Sequence, residues 1–409
     1  MKNNVRFDLS DYLIHFFRDI DMSGKNAILL PEHMAWHTLI EGDFLASVLM
    51  LRAALRNGRL WATWSYRKGA RTIYGPNPAV CLTDMPISAF VESSRERHAR
   101  GEAMGEVALV FPKRALRDLG AHPAIYGLSE SVSDWPKGKG GSERIIPTNF
   151  LPLAEQYRYV SYNHSTDWTH EREWRWPCRV PDPFATGDIS DWEEIPGLDF
   201  YKLGIKGIGA IVRSHDQANL IISDMLTKID TNVAAPDTFS FVLVTDDLPD
   251  PATLRDRDAL QHALSAATIE LERYFDYGEP EWQQVSREFE QLALDVARSA
   301  SPGEEGEHGG CWLWLHDGTS DSTRMLLASG RVIVSNSGRY LAELPEFSHL
   351  GNLSQREEMT ERLAVLVRTR MGIPCATFSV AGSFDPEAVP FYAEMHDNRI
   401  SYYNASWMY

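Results

Sequence analysis

The chain has 409 residues, 44% of them hydrophobic, and a formal net charge of −17 at pH 7; this length favours two domains, because single cores stop growing beyond roughly 250–300 residues. It has no apolar run of about eighteen residues and no signal-peptide pattern, so we expect a cytoplasmic protein with no membrane association. The four cysteines lie far apart without a CxxC pair, which argues against a disulfide framework and a structural zinc site.

The N-terminal part predicts an α+β structure. Apolar and aromatic residues at Tyr12–Phe17 predict a buried strand that carries His15. A helical spacing of apolar residues over 44–60 ends at Asn57-Gly58, because glycine takes the left-handed conformation at little cost. The further predictions are strands at 79–83, 106–111, 168–176, 205–212 and 241–245, and helices at 88–101, 113–119 and 214–228.

Composition changes at two places along the chain. From Tyr126 to Pro147 the residues are rich in Gly, Ser, Lys and Pro, which predicts a loop; its stretch 136–141 is a candidate lid or acceptor-contacting loop, or an ordinary surface loop. Acids and prolines at 246–251 predict a domain junction, with domains at 1–247 and 248–409.

The C-terminal part predicts a smaller α/β domain. A helical linker at 252–300 is expected to contain helices at 252–277 and 281–300, followed by a flexible link at 301–310. The remaining predictions are strands at 311–316, 331–335, 375–380 and 399–403, and helices at 320–329 and 355–370.

Charge is unevenly distributed between the two parts. Residues 1–246 carry 27 Lys and Arg against 31 Asp and Glu, whereas residues 247–409 carry 13 against 26, and Lys228 is the last lysine. An acidic C-terminal part would repel phosphate backbones, so any nucleic acid should meet the N-terminal part. The same acidity suggests contact with a basic partner, such as an inhibitor or a phage protein, or a simple bias toward solubility.

The common catalytic motifs are missing from the sequence. There is no Walker loop, GxSxG elbow, HExxH helix or GxGxxG turn, which removes most support for kinase, hydrolase and dehydrogenase functions. The histidines have no metal-ligand spacing, and we predict no metal site.

Two strand segments carry candidate chemistry. His15 could donate a hydrogen bond to a sugar hydroxyl or lie at a cofactor's edge; the alternative is a core histidine bonded to the backbone. In a strand over 171–176, Glu171, Glu173 and Arg175 would share one face. A carboxylate there could stabilise the oxocarbenium-like charge that develops when a glycosidic bond breaks. The alternative is an exposed, salt-bridged edge strand.

A third segment is aromatic and basic. Residues 61–67 contain two tryptophans, a tyrosine and an arginine, and Arg71 and Tyr74 follow. Aromatic rings offer stacking faces for a planar base, and arginine binds phosphate oxygens bidentately. The segment could therefore line a pocket for a base and a pyrophosphate. Further cationic side chains are scattered between residues 95 and 139, and most of them are interpreted as ordinary solvated side chains.

Four short stretches, taken in order, resemble bacterial ADP-ribosyltransferase-like defence toxins, including the DarT and CmdT groups. They are a strand histidine (14–16), a helix end (55–62), a strand and turn (80–86) and a Glu-x-Glu segment (171–175). The resemblance covers residues ~10–245 and implies an α+β core with a split β-sheet and helices, which binds NAD between two small sheets. It does not extend to the C-terminal part.

The resemblance implies a role for each matching position. Glu173 would be the catalytic glutamate that polarises the nicotinamide ribose, with Glu171 as a second acid. His15 would hold the ribose or nicotinamide, Tyr74 would stack on nicotinamide, and Arg71 would bind the phosphates. Thr83 is a further candidate for contact with the cofactor.

These observations favour a cytoplasmic mono-ADP-ribosyltransferase that uses NAD to modify a nucleic acid (RNA or DNA) or a protein, with an anti-phage toxin or effector as its biological role. Two alternatives remain open. One is a non-catalytic sensor or adaptor with the same fold. The other is a metal-free RNA-binding or RNA-cleaving protein that grips single strands by charge and stacking.

Overall fold

The computed structural model describes residues 9–21, 44–67, 70–102, 104–128, 144–162, 167–179, 197–250, 256–300 and 306–388. The chain divides into two compact units: the first unit comprises residues 1–221 and 237–269, and the second unit comprises residues 222–236 and 270–409. The sequence composition predicted a junction between residues 247 and 248. In the division by contacts, the last boundary lies between residues 269 and 270.

The first unit is built on an eight-stranded sheet with the order β16-β15-β14-β8-β1-β7-β12-β9. Its strands are β1 (Tyr12–Phe17), β7 (Ala79–Thr83), β8 (Val107–Pro112), β9 (His122–Pro123), β12 (Glu173–Pro177), β14 (Ile208–Val212), β15 (Phe239–Val244) and β16 (Thr268–Glu270). Two-stranded sheets pair β2 (Ile20–Asp21) with β3 (Phe44–Leu45), β4 (Arg59–Trp61) with β13 (Gly197–Asp199), β5 (Tyr66–Arg67) with β6 (Ala70–Arg71), and β10 (Ile125–Leu128) with β11 (Tyr159–Tyr162).

Helices accompany the strands of the first unit. They are α1 (Ser47–Asn57), α2 (Ile87–Ala99), α3 (Lys113–Asp118), α4 (His215–Asp230) and α5 (Arg257–Ala266); residues of α4 from 222 onward belong to the second unit. Helix α1 ends where the sequence indicates, because Gly58 adopts the left-handed conformation at φ 66°. Helix α2 packs Phe90 and Val91 against Ile14 of β1, which closes one hydrophobic core.

The large sheet is nearly divided between β1 and β7. Strands β1 and β8 pair along six residues each, and β7 and β12 pair along five. Between β1 and β7, among the described residues, Ile14 and Thr83 form the single register pair. We call the boundary between β1 and β7 the seam; it separates β9-β12-β7 from the other five strands.

The second unit is a four-stranded antiparallel sheet with helices. The sheet order is β18-β19-β17-β20, and the strands are β17 (Gly309–Leu315), β18 (Val332–Val334), β19 (Tyr340–Ala342) and β20 (Cys375–Ala381). The helices are α6 (Glu279–Ser299), α7 (Asp321–Ala328) and α8 (Leu353–Leu366). Leu313 and Leu315 of β17 point into a core shared with Phe289 of α6 and Leu363 of α8, as the strand's alternation requires.

Most of the elements in the described residues were predicted correctly, and the mixed α and β character is confirmed. The helix predicted over 252–277 is wrong, because a β-branched pair at Thr268-Ile269 instead forms strand β16 and a single 3-10 turn follows at Leu271–Tyr274. The loop predicted from Tyr126 is wrong at its start, where strand β10 runs to Leu128. The candidate lid 136–141 and the strand predicted at 399–403 lie outside the described residues.

Candidate functional site

Three of the four stretches that carry the resemblance have residues on adjacent strands of the first unit. β1 carries His15, β7 carries Thr83 and β12 carries Glu173, and these strands are consecutive in the sheet. Thr83 is in register with Ile14 on one side and with Glu173 on the other. Segments separated by more than 150 residues in the sequence therefore meet at the seam.

Glu173 is held at the start of β12 by a bidentate ion pair. Its two carboxylate oxygens accept hydrogen bonds from Arg175 Nε at 2.8 Å and Arg175 Nη2 at 3.2 Å. The Glu173 side chain keeps 20% of its surface exposed, whereas the Arg175 side chain keeps 5%. The carboxylate is thus fixed in direction but open to a ligand.

Arg175 is anchored in turn by backbone carbonyls. Its Nη1 donates to the carbonyl of Tyr157 at 2.7 Å and to that of Tyr159 at 3.2 Å. Burial, the largest single influence, lowers the pKa of Arg175, but Glu173, Cys81 and Tyr126 together raise it by more, so the pKa is raised. Arg175 therefore stays charged.

Cys81 lies between the two sides of the site. Its thiol neighbours Glu173 and Arg175, and it is in register with Arg175. Burial and then the Glu173 charge raise the pKa of the thiol to about 12. Because the thiolate is the reactive form, Cys81 is a packing residue and not a nucleophile.

His15 lies at the seam and bonds across it. Its Nδ1 is 2.8 Å from the carbonyl oxygen of Cys81, and its partly exposed ring meets Phe17 edge-on at 5.0 Å. A carbonyl only accepts hydrogen bonds, so Nδ1 carries the proton. Burial lowers the pKa of His15, against the opposing effect of this hydrogen bond. The imidazole is therefore neutral, and its Nε2 is an acceptor.

His15 and Glu173 leave their strands on opposite faces of the sheet. Ile14, rather than His15, stands opposite Thr83 and hence in line with Glu173. Since side chains alternate along a strand, His15 leaves β1 on the side opposite to Ile14. The two candidate residues are linked through Cys81, whose carbonyl faces His15 and whose thiol faces Glu173.

The strand predicted at 168–176 begins only at Glu173, so the first two residues of the Glu171–Trp176 segment are not in a strand. Arg172 has φ 47° and ψ 45°, a left-handed conformation that breaks the alternation, and Glu171 ends a 3-10 turn instead. The prediction that Glu171 shares a strand face with Glu173 is therefore wrong, whereas Glu173 and Arg175 do share one. Thr83 fixes this turn, because its Oγ1 donates to the carbonyl of Glu171 at 2.7 Å.

The Glu171 carboxylate has partners of its own. Oε1 accepts from Arg97 Nη1 of α2 at 2.7 Å and lies 3.5 Å from His170 Nε2. Its side chain is 18% exposed. Each of the two predicted acids is thus paired with an arginine: Glu173 with Arg175 of its own strand, and Glu171 with Arg97 of α2.

Asp84 joins the end of β7 to the start of β12. Its carboxylate accepts from Arg172 Nε at 2.7 Å, from Lys113 Nζ at 2.5 Å and from Trp174 Nε1 at 3.2 Å. Its backbone N–H donates to the carbonyl of Arg172 at 3.1 Å. These bonds hold Arg172 in the left-handed conformation that precedes Glu173.

The aromatic candidates are part of the packed structure. Tyr74 is 6% exposed; its ring meets Tyr159 edge-on at 5.3 Å, and the Arg144 guanidinium lies 4.8 Å from its centre. Trp64 is also 6% exposed and packs against Tyr157. These rings support the two residues whose carbonyls hold Arg175. The backbone of Arg71 lies in β6, and its side chain is outside the described residues.

Sequence reasoning missed Tyr126. The backbone N–H of Glu173 donates to the Tyr126 hydroxyl at 3.1 Å, and burial raises the pKa of that hydroxyl. Tyr126, rather than Tyr74, is thus the tyrosine that contacts the candidate catalytic residue. The signal was hidden because Tyr126 opens the Gly- and Lys-rich stretch that was interpreted as a loop.

The described residues lack two features, a metal-ligand cluster and a membrane-spanning helix. None of their His, Cys, Asp and Glu side chains form a group of three or more that could hold a metal ion. Within the same ranges, no helix is long and apolar enough to span a membrane.

Comparison with known proteins gave one match, in the second unit. Residues 284–405 match the model of a family described as "Protein of unknown function (DUF4427)". No curated protein and no solved structure matches the chain significantly. The match assigns no activity and does not reach the strands of the candidate site.

Proposed function

We propose that the first unit is a mono-ADP-ribosyltransferase that uses NAD as its donor substrate. The observation that carries this proposal is the meeting of β1, β7 and β12 at the seam, where Glu173 is partly exposed and rigidly held. The sequence resemblance assigned chemistry to each of these strands separately. The adjacency of the three strands supports the assignment of these residues to one site at the seam, with His15 and Glu173 leaving their strands on opposite faces of the sheet.

The proposed chemistry breaks the bond between nicotinamide and ribose. Nicotinamide leaves with the bonding electron pair as a neutral base, and the ribose carbon acquires oxocarbenium character. Glu173, an acceptor-only group when ionised, takes a hydrogen bond from a ribose hydroxyl and stabilises the developing positive charge. An acceptor oxygen or nitrogen then attacks that carbon, and its proton passes to solvent.

The remaining described residues divide between binding and support. The neutral His15 offers Nε2 as an acceptor to a ribose hydroxyl or to the nicotinamide amide. Glu171, held by Arg97, is the proposed second acid. Tyr126 fixes the backbone of Glu173, and Arg71 remains the candidate for the NAD phosphates.

The acceptor is proposed to be a nucleic acid or a protein, with water as the default, and the biological role to be an anti-phage effector in the cytoplasm. The N-terminal part carries a nearly balanced charge, 27 basic against 31 acidic residues over 1–246, and so meets an anionic acceptor more readily than the acidic remainder. An inhibitor or a phage protein is the proposed partner of the acidic second unit.

The test measures nicotinamide release from NAD by the full-length protein, with RNA, DNA or cell lysate added as acceptor. Wild type is compared with Glu173→Gln and with Glu155→Gln as a matched control. Glu155 is also a partly exposed carboxylate paired with an arginine, Arg158, but it lies on the 3-10 turn Leu153–Arg158. We expect release by wild type and by the control, and a loss of about 10²–10³-fold in Glu173→Gln.

The outcomes separate the candidate functions. Label transferred from NAD to one acceptor identifies that acceptor. Absence of both NAD binding and nicotinamide release in wild type contradicts the proposal and leaves a sensor or an RNA-binding protein. RNA binding that weakens steeply with salt and ignores NAD would then favour the latter.

A further inference from the structure

Arg175 makes four hydrogen bonds in the candidate site. Two of its nitrogens donate to Glu173 and a third donates to the carbonyls of Tyr157 and Tyr159. The side chain is 5% exposed, so a substrate at the surface would reach Glu173 before it reached the guanidinium. Arg175 therefore cannot act on NAD directly.

The geometry controls the plane of the Glu173 carboxylate. A single hydrogen bond leaves a carboxylate able to rotate, whereas two parallel bonds from one planar guanidinium fix its orientation. The guanidinium is itself fixed by two carbonyls that belong to the turn at Leu153–Arg158 and to strand β11. Orientation is thus transmitted from Tyr157 and Tyr159 through Arg175 to Glu173.

We propose that Arg175 is a positioning residue: it aims the Glu173 carboxylate at the ribose of NAD without touching the substrate. This role rests on the proposed function. In this role the carboxylate orientation is set by two features. One is the spacing of Glu173 and Arg175 on one strand, and the other is the pair of carbonyls, of Tyr157 and Tyr159, that hold Arg175. Misplacement of a reacting group by about 1 Å can cost 10²-fold in rate.

The role predicts a particular kinetic signature. Arg175→Lys keeps the charge but loses the planar fork, and such a change is not conservative at a bidentate site. We expect kcat for nicotinamide release to fall by about 10²-fold, while KM for NAD stays within about twofold, because NAD does not contact Arg175. Arg175→Gln is the second variant; it is uncharged and keeps one amide donor for Glu173.

A double-mutant cycle tests whether Arg175 acts through Glu173. In the Glu173→Asp background the carboxylate is one methylene shorter, and the bidentate pair cannot form in the same place. Arg175→Lys should then cost less than about threefold in kcat, compared with about 10²-fold in the wild-type background. The melting temperature of every variant is measured in parallel, so that the kinetic constants are compared on folded protein.

Equal losses in both backgrounds, or a loss confined to KM, would overturn the role of Arg175. If Arg175→Lys does not fold, the same comparison is made with Arg175→Gln. Failure of both variants to fold would make Arg175 a structural residue and overturn its positioning role. Wild type that releases no nicotinamide contradicts the proposed function instead, so the two failures are distinguishable.

Discussion

The two units each contain a bidentate ion pair between an arginine and a carboxylate. In the first unit Arg175 holds Glu173, and in the second unit Arg324 holds Asp230 at 2.5 and 3.2 Å. Both arginines also donate to backbone carbonyls; Arg324 Nε donates to that of Tyr274 at 3.0 Å. The two pairs differ in how much of the carboxylate remains exposed.

Asp230 is enclosed, and Glu173 is not. The Asp230 side chain is 5% exposed and accepts a third hydrogen bond, from the Tyr340 hydroxyl at 2.7 Å. Burial, and then the Asp230 charge, raises the pKa of Tyr340, so that hydroxyl remains a donor. Glu173 keeps a fifth of its surface exposed. The same ion pair therefore serves stability in one unit, whereas it leaves a carboxylate available for chemistry in the other.

The largest expected effect is on the enclosed pair. Asp230→Asn leaves Arg324 buried without a counter-charge, which should cost about 3–5 kcal/mol of stability in the second unit. The measurement is amide hydrogen exchange of peptides from α7 and β19. Replacing Asp230 and Arg324 together by Leu and Met is the control, and it should restore most of the protection. Unchanged exchange in Asp230→Asn would mean that the two ion pairs do not differ in this way.

The next comparison pairs two buried threonines. Thr83 Oγ1 donates to the carbonyl of Glu171, and Thr360 Oγ1 of α8 donates to that of Arg356 at 2.8 Å. Replacing either by valine should cost about 1–3 kcal/mol, because a hydrogen-bonded group is lost in a buried place. Nicotinamide release, measured with the unfolding free energy, should fall in Thr83→Val alone. A matching fall in Thr360→Val would contradict the assignment of the site to the seam.

A smaller effect on stability is expected when the pH is lowered and His15 becomes protonated. The pKa of His15 is lowered below 6.5 in the folded protein, mainly by burial. Between that lower value and 6.5 the unfolded chain binds the proton more tightly, so this contribution to stability is present above pH 6.5 and is lost as the pH falls below it. Unfolding measured from pH 8 to pH 5 should therefore depend less on pH in His15→Gln than in wild type.

The matched control for that experiment is His316→Gln in the second unit. The pKa of His316 is also lowered, by burial and then by Arg368, so its removal should likewise reduce the pH dependence of unfolding. Its removal should leave nicotinamide release unchanged, whereas His15→Gln should weaken it. An identical pH dependence in His15→Gln and wild type would show that the folded state does not favour neutral His15.

The smallest effect is expected at Cys81. Because its pKa is raised to about 12, the thiol should be alkylated slowly in the native protein at pH 8. Cys81→Ala should keep kcat within about threefold of wild type, since Arg175 still holds Glu173 by two hydrogen bonds. Mass spectrometry after iodoacetamide treatment gives the labelling rate, with urea-unfolded protein as the reference. Rapid labelling in the native protein would reopen a nucleophilic role for this thiol.

The sequence was most informative where the pattern is local. Alternation along Glu173–Pro177 puts Glu173 and Arg175 on one face, and the structure confirms their shared face and adds the ion pair. The strand at Tyr12–Phe17 and the helix stop at Gly58 were equally accessible, since each depends on neighbouring residues alone.

Long-range contacts explain what the sequence did not reveal. Arg172 adopts a left-handed conformation because Asp84, 88 residues away, holds it, and this detail moved Glu171 off the strand. Tyr126 reaches Glu173 across 47 residues. Tyr74 has an aromatic ring suited to stacking on a ligand, but this ring is buried and packs against Tyr159. No local pattern contains these contacts, because each depends on which strands become neighbours.

The most direct test of the account places Glu173→Gln and Asp230→Asn side by side and measures both nicotinamide release and unfolding for each. We expect Glu173→Gln to lose about 10²–10³-fold in release per folded molecule, together with stability, because Arg175 is left buried without its counter-charge. Asp230→Asn should lose stability alone, with release per folded molecule unchanged. Loss of release in Asp230→Asn without loss of stability, or full release by Glu173→Gln, would contradict the view that the exposed carboxylate at the seam is the catalytic one.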